Sequence, residues 1–276
     1  MSTLAKSLVC RIQLAVNALS RRRRNMSTVG AAARFHAATS AESLPDPHNV
    51  SNKLDDETIE AIVTRLEERG EDPVFRSLFN YFDMIPSDAR VLEVGCGTGV
   101  MSRALAKHPG FEGSITGVDQ CIPFLEVAKK KAEEAGCDMS VTNFIEGDAH
   151  DLQTSLTNAD LKDGFDVVVM HTLLSHATHP KTVLRSAAEV AGSGALLFVM
   201  DGDYEGLSFG HSEKWIGRQM DQALVEATFK RPDIIRHLVA NIDRCGWSIK
   251  DSKGKFFASC NYYTLVAQKQ VNENSK

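Results

Sequence analysis

No apolar run in the 276-residue chain approaches the roughly 20 residues a helix needs to cross a bilayer, so no membrane span is expected. The six cysteines (Cys10, Cys96, Cys121, Cys137, Cys245, Cys260) show neither close pairing nor metal-ligand spacing. That excludes a disulfide framework and a zinc site, leaves reduced packing residues, and gives no reason to expect a metal. There is no internal repeat and no low-complexity stretch in the body of the chain. Acidic residues are missing from residues 1–41, which hold seven basic ones (Lys6, Arg11, Arg21, Arg22, Arg23, Arg24, Arg34) among abundant Ser, Ala and Thr.

That segment matches an organellar transit peptide, with Leu4, Leu8, Ile12 and Leu19 allowing a basic amphipathic helix. A mitochondrial address is expected, with the plastid, or the cytoplasm if the tail is merely solvated, as alternatives. Arg11 and Gln13 interrupt the apolar stretch and speak against a secretory signal. From residue 42 onward, 24 basic residues stand against 36 acidic ones, so the body is a poor partner for a nucleic-acid backbone. Its length suits one α/β domain with an extension.

The chain is organised around Arg90-Val91-Leu92-Glu93-Val94-Gly95-Cys96-Gly97-Thr98-Gly99. An apolar strand meets a glycine turn that opens a helix, which brings backbone N–H groups close to a ligand without an intervening Cβ. A dinucleotide fingerprint would carry its third glycine or an alanine where Val100 stands, and a phosphate cradle would need Gly-Lys-Ser/Thr. Both are absent, and Glu93 favours a ligand with positive charge or amine donors. A nicotinamide oxidoreductase is accordingly disfavoured.

Strands are expected near 90–94, 114–118, 141–146, 166–171 and 194–200, with helices near 98–107, 122–135 and 181–191. Two further helices precede them, 55–69 and 71–85, separated by Gly70. A helix over 233–244 leads to strands near 247–253 and 257–268, joined by a turn at Lys253-Gly254. Ligands of such sheets sit beyond the carboxyl ends of the strands. Asp119, after the second strand, suits both hydroxyls of a ribose, or else a cap for the helix from Ile122. His171 and Thr172 follow the fourth strand, with His176 further on. Asp201 closes the fifth and suits a general base or a cap.

The glycine loop, Asp119 and the segment Glu146-Gly147-Asp148-Ala149-His150 together resemble the class I S-adenosylmethionine-dependent methyltransferases, in the small-molecule branch close to the ubiquinone methyltransferases. The resemblance covers residues 88–202 well and implies a Rossmann-like sheet of seven strands, mostly parallel, with a C-terminal antiparallel hairpin and helices on both faces. It implies S-adenosyl-L-methionine as cofactor, held by Glu93, Gly95, Cys96, Gly97, Thr98, Gly99, Asp119, Gln120, Asp148, Ala149, His171 and Thr172, with Asp148 on the adenine amino group. Residues 42–87 would cover the cofactor, with Phe75, Phe79 and Tyr81 as pocket candidates. Residues 88–276 would form the transferase domain, with a lid over 203–230. Tyr204, His211, Trp215 and Arg218 are its candidate substrate residues, and His171, Asp201 and His176 the candidate catalytic ones.

The Asn/Asp-Pro-Pro-Tyr/Phe segment of amide and adenine methylation is missing, since that place reads His171-Thr172-Leu173-Leu174. A small metabolite is therefore the expected acceptor, either a hydroxylated ring or a small carboxylate such as a methylthio acid. The alternative is a non-catalytic cofactor-binding partner or assembly factor in an organelle. The oligomeric state is left open.

Overall fold

The computed structural model describes residues 55–204, 233–257 and 260–270. Seven strands form one sheet: β1 (Arg90–Val94), β2 (Ser114–Asp119), β3 (Thr142–Glu146), β4 (Phe165–His171), β5 (Ala191–Asp203), β6 (Trp247–Phe257) and β7 (Cys260–Lys269). Their order is β3-β2-β1-β4-β5-β7-β6. The first five run parallel, and β7 pairs antiparallel with both β5 and β6. This is the sheet that the sequence implied.

The central strands are apolar throughout because both faces of the sheet are covered. Successive side chains point to opposite faces, so Leu92, Val94, Val168 and Met170 enter one core while Val91, Val167 and Val169 enter the other. Helices α1 (Asp56–Glu71), α2 (Pro73–Arg76), α3 (Val100–Ala106), α4 (Ile122–Glu134), α5 (Leu152–Asn158), α6 (Pro180–Val190) and α7 (Ile234–Asn241) supply the cover. Trp247, fully buried, donates from Nε1 to Leu184 O at 2.9 Å and ties β6 to α6. No helix among the described residues is long and apolar enough to cross a membrane.

Four local expectations are corrected. Gly70 does not separate two helices: α1 runs through it to Glu71, and a Cβ there would lie 2.5 Å from Val100 Cγ1. The glycine lets α1 lie directly on the start of α3. The helix expected over 71–85 begins only at Pro73, which holds Asp72 extended, and is divided into α2 and two 3₁₀ turns. Helix α5 was not anticipated; Asp151 caps it by accepting from Thr154 N at 3.1 Å. The hairpin does not turn at Lys253-Gly254, for β6 continues to Phe257, which pairs with Cys260 while Gly254 pairs with Tyr263.

Gly117 of β2 lies under the loop that follows β1, where an added Cβ would sit 2.8 Å from Phe144 and 2.9 Å from Cys96 Sγ. Gly117→Ala is expected to cost about 1–3 kcal/mol through overpacking. The measurement is a lower urea midpoint at unchanged slope; an unchanged midpoint would show that Cys96 yields freely.

Candidate functional site

A cavity of about 230 Å³ opens beyond the carboxyl ends of β1, β2, β3 and β4, roofed by α1. Its floor is the loop after β1. There Gly95 N and Cys96 N both donate to Val118 O, at 2.8 and 3.0 Å, and hold the turn against β2. Gly97 has φ +53°, which a side chain resists, and the nearest atom a Cβ would meet is Leu66 Cδ1 at 3.5 Å. The peptide is thus open to the cavity.

Two buried carboxylates shape this loop. Asp119 at the end of β2 accepts from Gly97 N at 2.8 Å and from Cys121 N at 3.0 Å. Burial raises its pKa, and the hydrogen bonds from Cys121, Gly97 and Gln120 act against that rise. A carboxylate has about four acceptor positions, so these amide donors leave room for a further one. The residue capping α4 is Cys121, so Asp119 is not the helix cap that was its alternative. Glu93 accepts from Ser102 N at 3.1 Å and from Ser102 Oγ, taking the place of the side-chain cap that Gly99 cannot give α3. Burial pushes its pKa up to about 8, with the Asp119 charge adding to it.

The roof is pinned to the floor. Arg103 donates to Glu67 of α1 at 2.8 and 3.0 Å and to Thr98 O in the loop. Ile62, Arg65, Leu66 and Arg69 of α1 line the cavity. Arg69 sits over the Phe75 ring at 4.7 Å, and its buried Nε has no hydrogen-bond partner among the described residues; the same is true of Thr98 Oγ1.

Opposite, His171 ends β4 with its Nε2 hydrogen-bonded to the Tyr81 hydroxyl and its ring stacked on Phe79 at 5.2 Å. Burial, with the Arg69 charge, pulls its pKa down to about 3. Thr172 has φ +48°, fixed by its N–H bond to Met200 O at 2.7 Å. Asp148, half-exposed at the rim, accepts from His150 N and pairs with His150 Nδ1, both at 2.8 Å. Burial raises the Asp148 carboxyl, but the bonds from His150 outweigh it and hold it below the usual value.

The cavity wall therefore brings together Glu93, Gly95, Cys96, Gly97, Thr98, Asp119, Gln120, Asp148, Ala149, His171, Thr172 and His176, with Phe75 and Phe79. Gly99 lies behind the wall, against Phe144 and Ala128. Asp201 is fully buried and off the wall, accepting from Ser175 N at 3.0 Å and Gly202 N at 2.9 Å. It anchors the turn after β4, and burial pushes its pKa up to about 6. Tyr204 is also buried away from the cavity, its hydroxyl 3.2 Å from that of Tyr262. His211, Trp215 and Arg218 lie outside the described residues. Arg65 and Arg69 were missed, although positions 62, 65, 66 and 69 share one helix face.

Glu93 gives the site a pH signature. The folded protein keeps its proton up to about pH 8, while the unfolded chain releases it near 4.5. Folding takes up a proton across that window, so stability falls as pH rises through it and is level above. Glu93→Gln keeps an acceptor for Ser102 without the charge. It is expected to exceed wild-type stability by more than about 1 kcal/mol above about pH 8, with the gain fading toward about pH 5. Thermal unfolding at both ends checks this, and an equal deficit at both would refute it.

Comparison with known proteins agrees with this arrangement. Residues 85–243 match the family model described as a methyltransferase domain. The ubiquinone biosynthesis O-methyltransferase of Histophilus somni (strain 2336) is 30% identical over 112 residues, 41% of this chain and 44% of that protein. The chain thus spans less than half the length of the curated relatives it matches. Among solved structures, a SAM dependent methyltransferase from Aquifex aeolicus superposes with a TM-score of 0.54 at 17% identity, covering 79% of this chain and 100% of that one. The [4+2]-cyclase SpnF gives 0.54 at 17% identity, covering 74% and 85%. At such identities the likeness establishes the fold.

Proposed function

Because the chain belongs to the methyltransferase-domain family, we propose that it transfers the methyl group of S-adenosyl-L-methionine to a small metabolite. The observation that carries this reading is the placing of carboxyl and guanidinium groups on opposite sides of the glycine loop. Glu93, Asp119 and Asp148 stand on the β1–β3 side, and Arg65 and Arg69 on the α1 side. A nucleoside joined to a cationic amino acid presents complementary groups in that order. The residues fit it: Gly97 leaves the loop open, and the buried Arg69 Nε and Thr98 Oγ1 have no hydrogen-bond partner among the described residues. Asp119 would hold the ribose hydroxyls, Asp148 the adenine amino group and Arg69 the carboxylate.

When bound, the cofactor supplies an electrophilic methyl group on a positive sulfur, and the protein's part is proximity and orientation. His171 is neutral at any physiological pH and so does not depend on deprotonation to act. A thioether acceptor needs no base, which suits a methylthio acid. A hydroxylated ring would hand its proton to His176, the other candidate base on the wall. The name of the Histophilus relative supports the ring. With Asp203 in β5 and Tyr204 in the core, a lid would fall in the stretch that follows, outside the described residues, where Arg218 would complete the acceptor site, and residues 1–41 would direct the protein to the mitochondrion. The second reading is a non-catalytic cofactor-binding partner or assembly factor in an organelle; SpnF, named as a cyclase, shares the fold and supports only that the fold is not confined to methyl transfer.

Methyl-labelled cofactor incubated with the protein and a metabolite extract is expected to yield a labelled small molecule, identified by mass spectrometry. Calorimetric binding of the cofactor without label transfer would favour the second reading. Asp119→Ala is expected to weaken cofactor binding about a hundredfold or more, as two hydroxyls lose an ionic acceptor. Unchanged affinity would remove the ribose assignment.

A further inference from the structure

His171 and Tyr81 form one buried unit. The imidazole is 8% exposed and lies flat on Phe79, 4° from parallel, while the Tyr81 ring, 2% exposed, stacks on Phe198 at 4.7 Å. Packing holds both rings, and one hydrogen bond joins the phenol oxygen to His171 Nε2.

That bond decides where the imidazole proton sits. If Nε2 carried it and donated, the phenol proton would be stranded, since the Tyr81 hydroxyl has no second partner among the described residues. If the phenol donates, one bond satisfies both the O–H and the Nε2 lone pair. A buried donor without an acceptor is costlier than a spare hydroxyl lone pair, so the second arrangement prevails. The ring proton then belongs to Nδ1. This atom has no bond to a described residue, and His171 lines the cavity.

We propose that Tyr81 is a positioning residue that fixes His171 as a neutral Nδ1–H donor to a carboxylate oxygen of the bound ligand. Burial keeps the pair neutral, and the charged groups that act on it add to this. Arg69 of α1 opposes an imidazolium, and Glu93 of β1 opposes a phenolate. Arg69 also makes the ligand a carboxylate, because it brings a cationic donor to the same wall. The carboxylate comes either from the amino-acid part of the cofactor or from an acidic methyl acceptor. Only that choice of source rests on the methyltransferase reading.

The test uses the full chain labelled with ¹⁵N-histidine, with His171→Asn to assign the signal. Long-range ¹H–¹⁵N spectra are expected to show an Nδ1–H ring that does not titrate between about pH 5 and about pH 8. Tyr81→Phe is expected to shift the ring away from that tautomer. An Nε2–H pattern in the wild type, or titration in this range, overturns the proposal. Titration with S-adenosylhomocysteine, 5′-methylthioadenosine and propionate then finds the carboxylate. A response to the first but not the second places the cofactor's carboxylate on His171, and a response to propionate alone places an acceptor's. No response to any carboxylate overturns the donor role.

In the transfer assay, His171→Asn retains a donor near the Nδ1 position and is expected within about tenfold of wild-type kcat/KM, against a loss above about a hundredfold for His171→Ala. Equal loss in both overturns donation. The spectra of the free protein report the tautomer even if no methyl transfer is found, so failure of this proposal and failure of the functional reading are separable.

Discussion

Two carboxylates buried behind a glycine turn hold the working end of this sheet together. Asp119 draws Gly97 N and Cys121 N onto one side chain, so the loop after β1 and the entry to α4 share an anchor. Glu93 caps the third residue of α3, a helix whose N-terminal glycine has no side chain to offer. Burial raises the pKa of both, and their mutual repulsion adds to that of Glu93. The loop is thus kept in place by groups that are themselves under electrostatic pressure, which is the condition under which a ligand can act on them.

Helix α1 converts this loop into an enclosed cavity. It approaches without hindrance because Gly70 leaves room for Val100, and Glu67 reaches Arg103, which also grips Thr98 O. Roof and floor are joined by one partly buried ion pair, with side chains 14% and 22% exposed. Such a pair is screened less than a surface one, yet its geometry depends on the loop beneath it. The arginines of α1 therefore keep their places on the wall only while the loop keeps its shape.

Much of this was legible in the sequence, for physical reasons that can be named. The run Phe165-Asp166-Val167-Val168-Val169-Met170 is apolar because β4 is covered on both faces, and ligand-facing residues follow strand ends in any open parallel sheet. That rule led to Asp119 and His171, and the family resemblance to Asp148; all three line the cavity. The rule misplaced Asp201 because β5 does not end there. The strand continues to Asp203, paired with Asn261, so Asp201 is an interior position turned onto the backbone of Ser175. Gly254 misled in the same way, as a glycine between lysines reads as a turn until its partner across the hairpin is known. Val74, Leu78, Tyr81, Phe82 and Ile85 fall at helical spacing, but a short helix and two 3₁₀ turns can serve that pattern as well as one continuous helix.

Ionisation states could not be read from the sequence at all, and they change what the residues can do. A histidine beyond a strand end suggests a base, yet here Tyr81, Phe79 and the nearby Arg69 leave it neutral across the physiological range. A glutamate before a glycine turn suggests a negative charge, yet burial keeps its proton to about pH 8. A cation bound against Glu93 would stabilise the ion that burial suppresses, so ligand binding and proton release from this residue are coupled. Because Glu93 also caps α3, that release would strengthen its hold on Ser102 N as the cavity fills. The side chain that senses the ligand's charge is then the one that tightens the loop around it.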